Sequence, residues 1–270
     1  ITEVDPEARI ISAAKVLGHH GAISYGVLDA VVLPSSAVEL RADGAEEERV
    51  ARRGGNYVAG RVVGRPASWA NIGALATALS RFGQGDWATD DTDAYSGGLD
   101  WDLRADSGWQ TRGQISAAGT DDGAGYGLWL TAGQRGAPRW RYWIDAESFS
   151  EDFQINDMGY QWRNNMVRLR GYVQHRLPRP WGGLRELYVT VWGQYGFRHS
   201  DPSVSFERRV ELESWLMFNN HWEMWAGAGY RFITLDDRET RGGLHYARPP
   251  EIYGWLGGKT DSSRRVFAEG

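Results

Sequence analysis

The chain has 270 residues, a formal net charge of −5, no cysteine, 35 glycines and 14 tryptophans. The lack of cysteine excludes a disulfide framework and thiolate metal sites, and the acidic balance argues against nucleic acid as a partner. No stretch approaches eighteen consecutive apolar residues, which excludes a transmembrane helix but not a membrane-spanning strand.

The first predicted element is a hairpin of residues 9–17 and 22–32, joined by a turn over 18–21 in which glycines can supply positive φ. Residues 34–55 are polar, show no clear period and predict a long loop that faces solvent. A strand is then predicted near 56–64. The next segment, 70–80, is also predicted as a strand, although its apolar residues fall at helical spacing as well, so a short amphipathic helix stays an alternative.

From residue 94 onwards the sequence alternates, so that every second side chain is apolar or aromatic. This period of two is typical of strands with one apolar face and one polar face. Strands are predicted near 94–105, 108–119, 125–134, 137–149, 159–176, 184–199, 204–219, 221–235 and 250–259. Short turns are predicted at 106–108, 133–136 and 219–220, and long links near 82–93, 150–157, 199–203 and 235–249. Short turns at one rim and long loops at the other are the layout of an outer-membrane barrel.

The polar faces of these strands carry too many charges for an apolar core. In the strand near 204–219, for example, Val210 and Leu212 share one face while Glu207, Arg209 and Glu211 share the other. The predicted fold is therefore all-β: an antiparallel up-and-down transmembrane β-barrel, or a large part of one, with about 12 to 14 strands in a single domain over 1–270.

Both ends of the chain predict a segment of a longer protein. The sequence begins at Ile1 without a signal peptide, and residues 262–270 have the composition of a turn followed by the opening of another strand. We therefore expect the remaining parts of the same polypeptide among the partners of this chain.

The charged face supplies the candidate site residues, which we expect to line a lumen. Glu211 and Glu213 lie two positions apart, roughly 6 to 7 Å between Cα atoms, a separation compatible with the paired carboxylates of a glycosidase. The simpler interpretation is a ladder in which these carboxylates pair with arginines such as Arg168 and Arg170. The full set of lumen candidates is Arg139, Arg141, Asp145, Glu147, Arg168, Arg170, Glu207, Arg209, Glu211, Glu213, Glu223 and Arg231.

The aromatic residues form two groups. Those towards strand ends are predicted to lie at the bilayer interface, where amphipathic rings are favoured: Trp140, Tyr142, Tyr160, Trp162, Trp222, Tyr230, Tyr253 and Trp255. A second group is mixed with charges on the polar face: Trp143, Trp192, Trp215 and Trp225. For this second group, stacking on sugar rings and a place in the interfacial belt remain equal alternatives.

No motif predicts a catalytic site, a cofactor or a metal. The acidic stretches 89–93 and 236–237 lack the ligand spacing of an EF-hand loop, and His19 and His20 are expected in the first turn. Asp100 and Asp102 also lie two positions apart and could act as paired carboxylates. The simpler interpretation is that both side chains face the interior of a barrel.

Five stretches resemble, in the same order along the chain, the barrel region of the DUF5916 family: 56–61, 72–78, 95–101, 153–161 and 235–243. The resemblance implies an outer-membrane protein of a Gram-negative bacterium. In that family a carbohydrate-binding module similar to family 9 commonly precedes the barrel, and the barrel is usually longer than this chain. The family brings no established reaction and hence no catalytic residues.

The expected function is that of a porin-like outer-membrane protein, in contact with the lipid bilayer, that takes part in uptake or surface handling of glycans or other small polar solutes. Two alternatives stay open. One is a soluble β-rich domain that binds or hydrolyses glycans, with Glu211 and Glu213 or the second tryptophan group as its site. The other is a structural membrane anchor for an upstream domain.

Overall fold

The structure is a computed structural model that describes residues 3–4, 9–40, 45–83, 92–120, 123–156, 159–239, 244–264 and 267–270. In these ranges every regular element is a strand, and no helix is long and apolar enough to cross a membrane. The described residues form eighteen strands, against the predicted 12 to 14, and thirteen of them have nine residues or more. The strands are β1 Glu3–Val4, β2 Ile10–His20, β3 Ile23–Val32, β4 Ser35–Leu40, β5 Glu46–Arg52, β6 Gly54–Ala67, β7 Ala70–Phe82, β8 Ala94–Arg104, β9 Trp109–Thr120, β10 Gly123–Gln134, β11 Trp140–Phe149, β12 Met166–Arg176, β13 Leu184–Arg198, β14 Ser205–Phe218, β15 Glu223–Arg231, β16 Thr234–Asp236, β17 Tyr246–Arg248 and β18 Glu251–Lys259.

The chain divides into two compact units. The first comprises Ile1–Trp101, Gln114–Gly127 and Asp152–Asn164, and the second comprises Asp102–Gly113, Leu128–Glu151 and Asn165–Gly270. Strands β8, β9 and β10 contribute residues to both units. All strand pairs described below are antiparallel, so the predicted all-β antiparallel class is confirmed.

In the first unit, β2, β3, β6 and β7 pair as neighbours in that order. The predicted hairpin is present, but its turn is shorter than expected because β2 continues through His19 and His20 to the turn at Gly21. Gly21 has a φ of 56°, the left-handed conformation that glycine adopts at little cost. Segment 70–82 is the strand β7 along its whole length, so the helical alternative is wrong.

The long loop predicted over 34–55 is corrected by the structure. This stretch contains β4 and β5, which pair with each other, and β4 also pairs with β1 in a small three-stranded sheet. Backbone pairing satisfies the hydrogen bonds of such a hairpin without requiring an apolar face. A segment of this kind therefore leaves no period of two in the sequence.

In the second unit, β11, β12, β13, β14, β15 and β18 pair as neighbours in that order. The short strands β16 and β17 pair with each other within the link between β15 and β18. At one end of this sheet the links are 135–139, 177–183 and 219–222, and two links at the other end, 150–165 and 232–250, are longer. The link 199–204, which was predicted to be long, has six residues and is shorter than 177–183, so the predicted difference between the two ends holds for two of the three links.

Strand β12 begins later than predicted, at Met166 and not near residue 159. Asn165, the residue before it, has a φ of 49°, a left-handed conformation that cannot continue a strand and that asparagine tolerates better than most residues. Its side chain fixes this corner, because Oδ1 accepts a hydrogen bond from the Ser200 N–H at 2.8 Å and Nδ2 donates to Ser200 Oγ at 2.9 Å.

After β18 the chain turns back, as the composition of 262–270 predicts. The Thr260 N–H donates to the Ala268 carbonyl at 3.0 Å, and the Gly270 N–H donates to the Gly258 carbonyl at 3.1 Å. Lys259 and Glu269 form an antiparallel bridge between these bonds. The last described residues thus pair with the end of β18.

Candidate functional site: the polar face of the second unit

One row of polar side chains crosses the whole sheet of the second unit. The residues paired directly across its strands are Asp145, Arg170, Gln194, Arg209, Arg231 and Glu251. Directly paired residues project on the same side of a sheet, as do residues at every second position from them. We call this side the polar face and the opposite side the apolar face.

Burial on the two faces is the reverse of that in an ordinary water-soluble sheet. On the apolar face, Ile144, Val191 and Leu212 are 51%, 48% and 53% exposed. On the polar face, Asp145 is 3% exposed and Thr190 is 2% exposed. These polar side chains are enclosed while these large aliphatic side chains are not, against the usual preference of each residue type. At the edge of the sheet, Arg231 and Glu251 on the polar face are exposed.

The enclosed charges on β11 and β12 form an ion-pair network. Arg170 Nη2 lies 2.9 Å from Asp145 Oδ1 and 3.1 Å from Glu147 Oε1, and Arg168 Nη2 lies 2.6 Å from Glu147 Oε2. The indole N–H of Trp129 donates to the second oxygen of Asp145 at 3.3 Å. These four predicted lumen residues are thus brought together, and each charge has a partner of opposite sign.

Glu211 and Glu213 are both engaged by neighbours. Arg209 Nη1 lies 3.1 Å from Glu211 Oε1, and the Tyr253 hydroxyl donates to the same oxygen. The Trp192 indole N–H donates to Glu213 Oε1 at 2.7 Å. The two carboxylates are held by different donors, which fits the ladder interpretation, although two of these donors are aromatic side chains and not the expected arginines.

Most of the other predicted lumen residues lie on strands, and one lies in a link. Glu223 pairs with Lys259 at 3.1 Å, and Arg231 pairs with Glu251. Arg141 Nε donates to the Ala137 carbonyl at 3.4 Å. Glu207 lies opposite Gly196 in the sheet. Arg139, by contrast, precedes β11 in an exposed link and does not lie on a strand face.

The second tryptophan group lies on the polar face and continues into a row of rings. Trp143, Tyr172 and Trp192 are paired directly across β11, β12 and β13, with ring centroids 5.9 and 4.8 Å apart. Trp215 stacks on Tyr188 with centroids 5.0 Å apart. The tyrosines in these contacts, Tyr172 and Tyr188, were not among the candidates, although they alternate in phase with the charges of their own strands.

Tyr253 and Trp255, predicted at the bilayer interface, lie instead on the polar face. Each is paired directly with a glycine of β15, and the ring covers that glycine: a Cβ on Gly227 would lie 2.1 Å from Trp255 Cζ2, and one on Gly229 would lie 2.5 Å from Tyr253 Cζ. Glu251 is the first residue of the same strand, and Tyr253 and Trp255 lie two and four positions after it. The alternation of side chains along β18 therefore places both rings on the same side as Glu251. Other members of that interfacial group, Trp140, Tyr142, Tyr160, Trp162, Trp222 and Tyr230, are exposed.

Asp100 and Asp102 each have arginine partners. In the first unit, Arg61 Nη2 lies 2.8 Å from Asp100 Oδ1. In the second unit, Asp102 Oδ2 lies 2.7 Å from Arg104 Nη2 and 3.2 Å from Arg112 Nε. The described residues contain no group of three or more acidic or histidine side chains placed to hold a metal ion.

A family model for a domain of unknown function, DUF5916, matches residues 1–269. The chain belongs to the DUF5916 family. The resemblance of its five stretches to that family is thereby confirmed. No curated protein and no solved structure matches the chain.

Chemically, the polar face of this DUF5916 chain offers paired charges of both signs, carboxylate oxygens that accept from indole and phenol donors, and aromatic rings between them. Such a surface suits hydrogen bonding and ring stacking with polar ligands.

Proposed function

We propose that this chain forms all or part of an outer-membrane β-barrel, whose apolar face contacts lipid and whose polar face surrounds an interior used for uptake or surface handling of glycans or other small polar solutes. The inverted burial carries this proposal. Leaving large aliphatic side chains such as Leu212 in water costs about 25 cal/mol for each Å² of apolar surface, whereas hydrocarbon removes that cost.

The lengths of the strands support the same proposal. Strands β11, β12, β15 and β18 have 10, 11, 9 and 9 residues. A tilted strand needs about 9 to 11 residues to cross the hydrocarbon core of a bilayer. Antiparallel pairing in chain order and the unequal links at the two ends are also usual for outer-membrane barrels.

The composition of the polar face supports polar, largely uncharged solutes. Its cations and carboxylates neutralise one another in pairs such as Arg168 with Glu147 and Lys259 with Glu223, so the described residues of this face present no ring of a single sign. Pores select ions through such rings, and their replacement by mixed pairs favours weak ion selectivity. The aromatic rows supply flat surfaces on which sugar rings can stack.

Reconstitution into lipid vesicles tests the proposal. We expect the purified protein to require detergent or lipid for its native β-sheet circular dichroism, and to produce swelling of liposomes in small sugars or conductance in planar bilayers. A monomer that keeps its fold in detergent-free buffer, ignores vesicles and produces no conductance would contradict it and favour a soluble domain.

A further inference from the structure

The apolar face of the second unit contains a groove. Its volume is about 720 Å³, within the range of about 300 to 1,000 Å³ that is usual for small-molecule sites. At its centre, Gly171 and Gly193 are directly paired with each other. They leave a gap in the row of side chains between Ile144 and Val210, which are paired with them on either side. The side chains of this face that line the groove include Ile144, Leu169, Val173, Val191, Tyr195 and Val210.

No side chain in the described part of the chain fills this gap. A Cβ on Gly193 would meet no atom within 4 Å. The neighbouring side chains of Val191 and Val210 are 48% and 41% exposed. Apolar walls without packing partners lose dispersion contacts, and a hydrocarbon chain laid into the groove would supply them. The shape and chemistry of the groove therefore suit a flexible apolar chain.

A cation lies beside this groove on the same face. Arg208 is directly paired with Tyr195 of the groove wall, and it comes two positions before Val210 along β14. Residues two positions apart on a strand share a face, so the Arg208 side chain projects on the apolar side. Glu207 and Arg209, its neighbours in the sequence, project to the polar face. Arg208 is thus separated by the sheet from the charges of the polar face.

The contacts of Arg208 are aromatic. Its Cζ lies 5.8 Å from the ring centroid of Tyr195 and 5.2 Å from that of Phe232. In the described part of the chain it contacts no carboxylate, whereas Arg168 and Arg170 of the polar face are both ion-paired. A cation on a face that meets lipid needs a negative partner or access to the headgroup region. Its partner must therefore come from outside the described chain.

The position of Arg208 along its strand indicates the headgroup region. Arg208 is the fourth residue of β14, near the end of the sheet that has the two longer links. Aromatic rings cluster around it: Tyr195 with Phe197 at 5.4 Å between centroids, and Tyr230 with Phe232 at 4.7 Å. Amphipathic rings and long cationic side chains near strand ends are typical of the bilayer interface. Phosphate groups lie at that level, and a guanidinium binds them through paired N–H donors.

We propose that the groove and Arg208 together bind one lipid with a phosphate headgroup. The phosphate pairs with the Arg208 guanidinium, and an acyl chain lies over Gly171 and Gly193. The proposal rests on the proposed function, since the apolar face must meet lipid, and it adds a preference for one lipid class. Protein that inserts into vesicles without this preference would overturn this inference alone, whereas protein that ignores vesicles would overturn both.

Titration of the detergent-solubilised protein, followed by native mass spectrometry, tests the lipid class. The probes are dimyristoyl phosphatidylglycerol, dimyristoylglycerol, which lacks the phosphate, and glycerol phosphate, which lacks the acyl chains. Phosphatidylglycerol is expected to bind about tenfold more tightly than dimyristoylglycerol, the worth of one charge-assisted contact. Glycerol phosphate is expected not to bind. Equal affinity for the two lipids would overturn the phosphate contact, and equal affinity for phosphatidylglycerol and glycerol phosphate would overturn the role of the groove.

Arg208→Gln tests the headgroup contact, because glutamine removes the charge at an exposed position. The affinity for phosphatidylglycerol is expected to fall at least about fivefold, while that for dimyristoylglycerol stays unchanged. Arg264→Gln is the matched control. Arg264 is 71% exposed in the link after β18, where it pairs with Asp261. Wild-type affinity in Arg208→Gln, or an equal loss in both variants, would show that no specific contact with phosphate is made.

Gly193→Val tests the groove, because the new side chain has open space and occupies the place assigned to the acyl chain. Valine is favoured in strands, so the fold is expected to be kept. The affinities for both lipids are expected to fall at least about fivefold, since both have acyl chains. Gly60→Val is the matched control, because a Cβ on Gly60 of β6 also meets nothing within 4 Å and lies outside the groove. Wild-type lipid affinity in Gly193→Val, or an equal loss in Gly60→Val, would overturn the groove as the acyl-chain site.

Discussion

Arg170 contacts two carboxylates, Asp145 and Glu147, whose side chains have little access to water. A buried ion pair is weak evidence for stability when it is intact, because desolvation offsets most of the attraction. Its removal is a different matter, since an uncompensated buried charge is left behind. A substitution that removes only one member of the network is therefore expected to destabilise the protein.

Arg170→Met is expected to destabilise the protein by about 3 kcal/mol, because methionine keeps much of the aliphatic stem but leaves Asp145 without its cation. Arg198→Met is the matched control. Arg198 lies 3.7 Å from Glu151, which is well exposed, and loss of such a pair costs less than about 1 kcal/mol. Chemical unfolding followed by tryptophan fluorescence measures both, and equal losses would contradict the distinction between buried and exposed pairs.

Two aspartates in links have the same local motif, in which Asp201 and Asp261 each bond the residue two positions on. The Ser203 hydroxyl and then the Ser203 backbone N–H donate to Asp201, and these bonds lower the pKa of its carboxyl below the ordinary value of 3.8. Ser263 lowers the pKa of Asp261 in the same way. Hydrogen bonds to the ionised form favour that form.

A carboxylate whose pKa is lower in the folded protein stabilises the fold above its ordinary pKa, and this contribution is lost as pH falls through the lowered value. Asp201→Asn is therefore expected to reduce stability at pH 7, and the loss is expected to shrink as the pH falls below 3.8 through the lowered pKa of Asp201. An NMR titration of the Asp201 carboxyl, with Ser203→Ala as the variant that returns its pKa towards 3.8, checks the cause. A destabilisation that is independent of pH would contradict it.

The residues of the polar face could largely be predicted, because phase along a strand assigns a side chain to a face without knowledge of its partners. Asp145, Glu147, Arg168 and Arg170 come together on this basis. Phase says nothing about the partner strand. The hydrogen bond from Tyr253 to Glu211 joins residues that are 42 positions apart. It depends on the pairing of β18 with β15, which are separated by a link that contains two further strands.

At the element scale, β15 and β18 are joined by alternating pairs of an aromatic residue and a glycine. Trp225 lies over Gly257, Trp255 over Gly227 and Tyr253 over Gly229, at directly paired positions. The ring of one strand fills the space that the other leaves without a side chain, which shields the glycine backbone and fixes the register.

Gly227→Ala is expected to destabilise this strand pair by about 1 to 3 kcal/mol, because the new Cβ would lie 2.1 Å from Trp255 Cζ2 and force the ring out of place. Gly193→Ala on β13 is the control. A Cβ there meets nothing within 4 Å, so the substitution is expected to be neutral or slightly stabilising. Unfolding free energies of the two variants check this, and a neutral Gly227→Ala would remove the packing role of the Trp255 ring.

Element prediction succeeded where one face differed chemically from the other. The period of two identified β13 and β14 nearly to the residue, since their apolar and charged sides are distinct. It failed for β4 and β5, which pair within a stretch that shows no clear period, and at the start of β12, where a single left-handed residue ends the irregular link. These features depend on backbone pairing and conformation, which leave no hydropathy pattern.

At the scale of the whole molecule, the exposed leucines on the apolar face of the second unit allow a test of its environment. The effect of a charged substitution on stability differs between lipid and water. In water an exposed leucine on a sheet is tolerated, and its replacement by a charged residue changes stability by less than about 0.5 kcal/mol. In hydrocarbon the same replacement buries a charge without a partner. The environment of the apolar face can therefore be determined from a single substitution.

Leu212→Arg is the sharpest form of this test, because Leu212 lies near the middle of β14 and is 53% exposed on the apolar face. If this face meets lipid, the variant is expected to lose about 2 to 4 kcal/mol of folding free energy in vesicles, as arginine does near the bilayer midplane of outer-membrane barrels. Leu244→Arg, at a 90% exposed position in the link 232–250, is expected to be neutral. Folding titrations in vesicles measure both variants. Equal stability of Leu212→Arg and Leu244→Arg would place the apolar face in water and leave the soluble glycan-binding domain as the better account of the polar face.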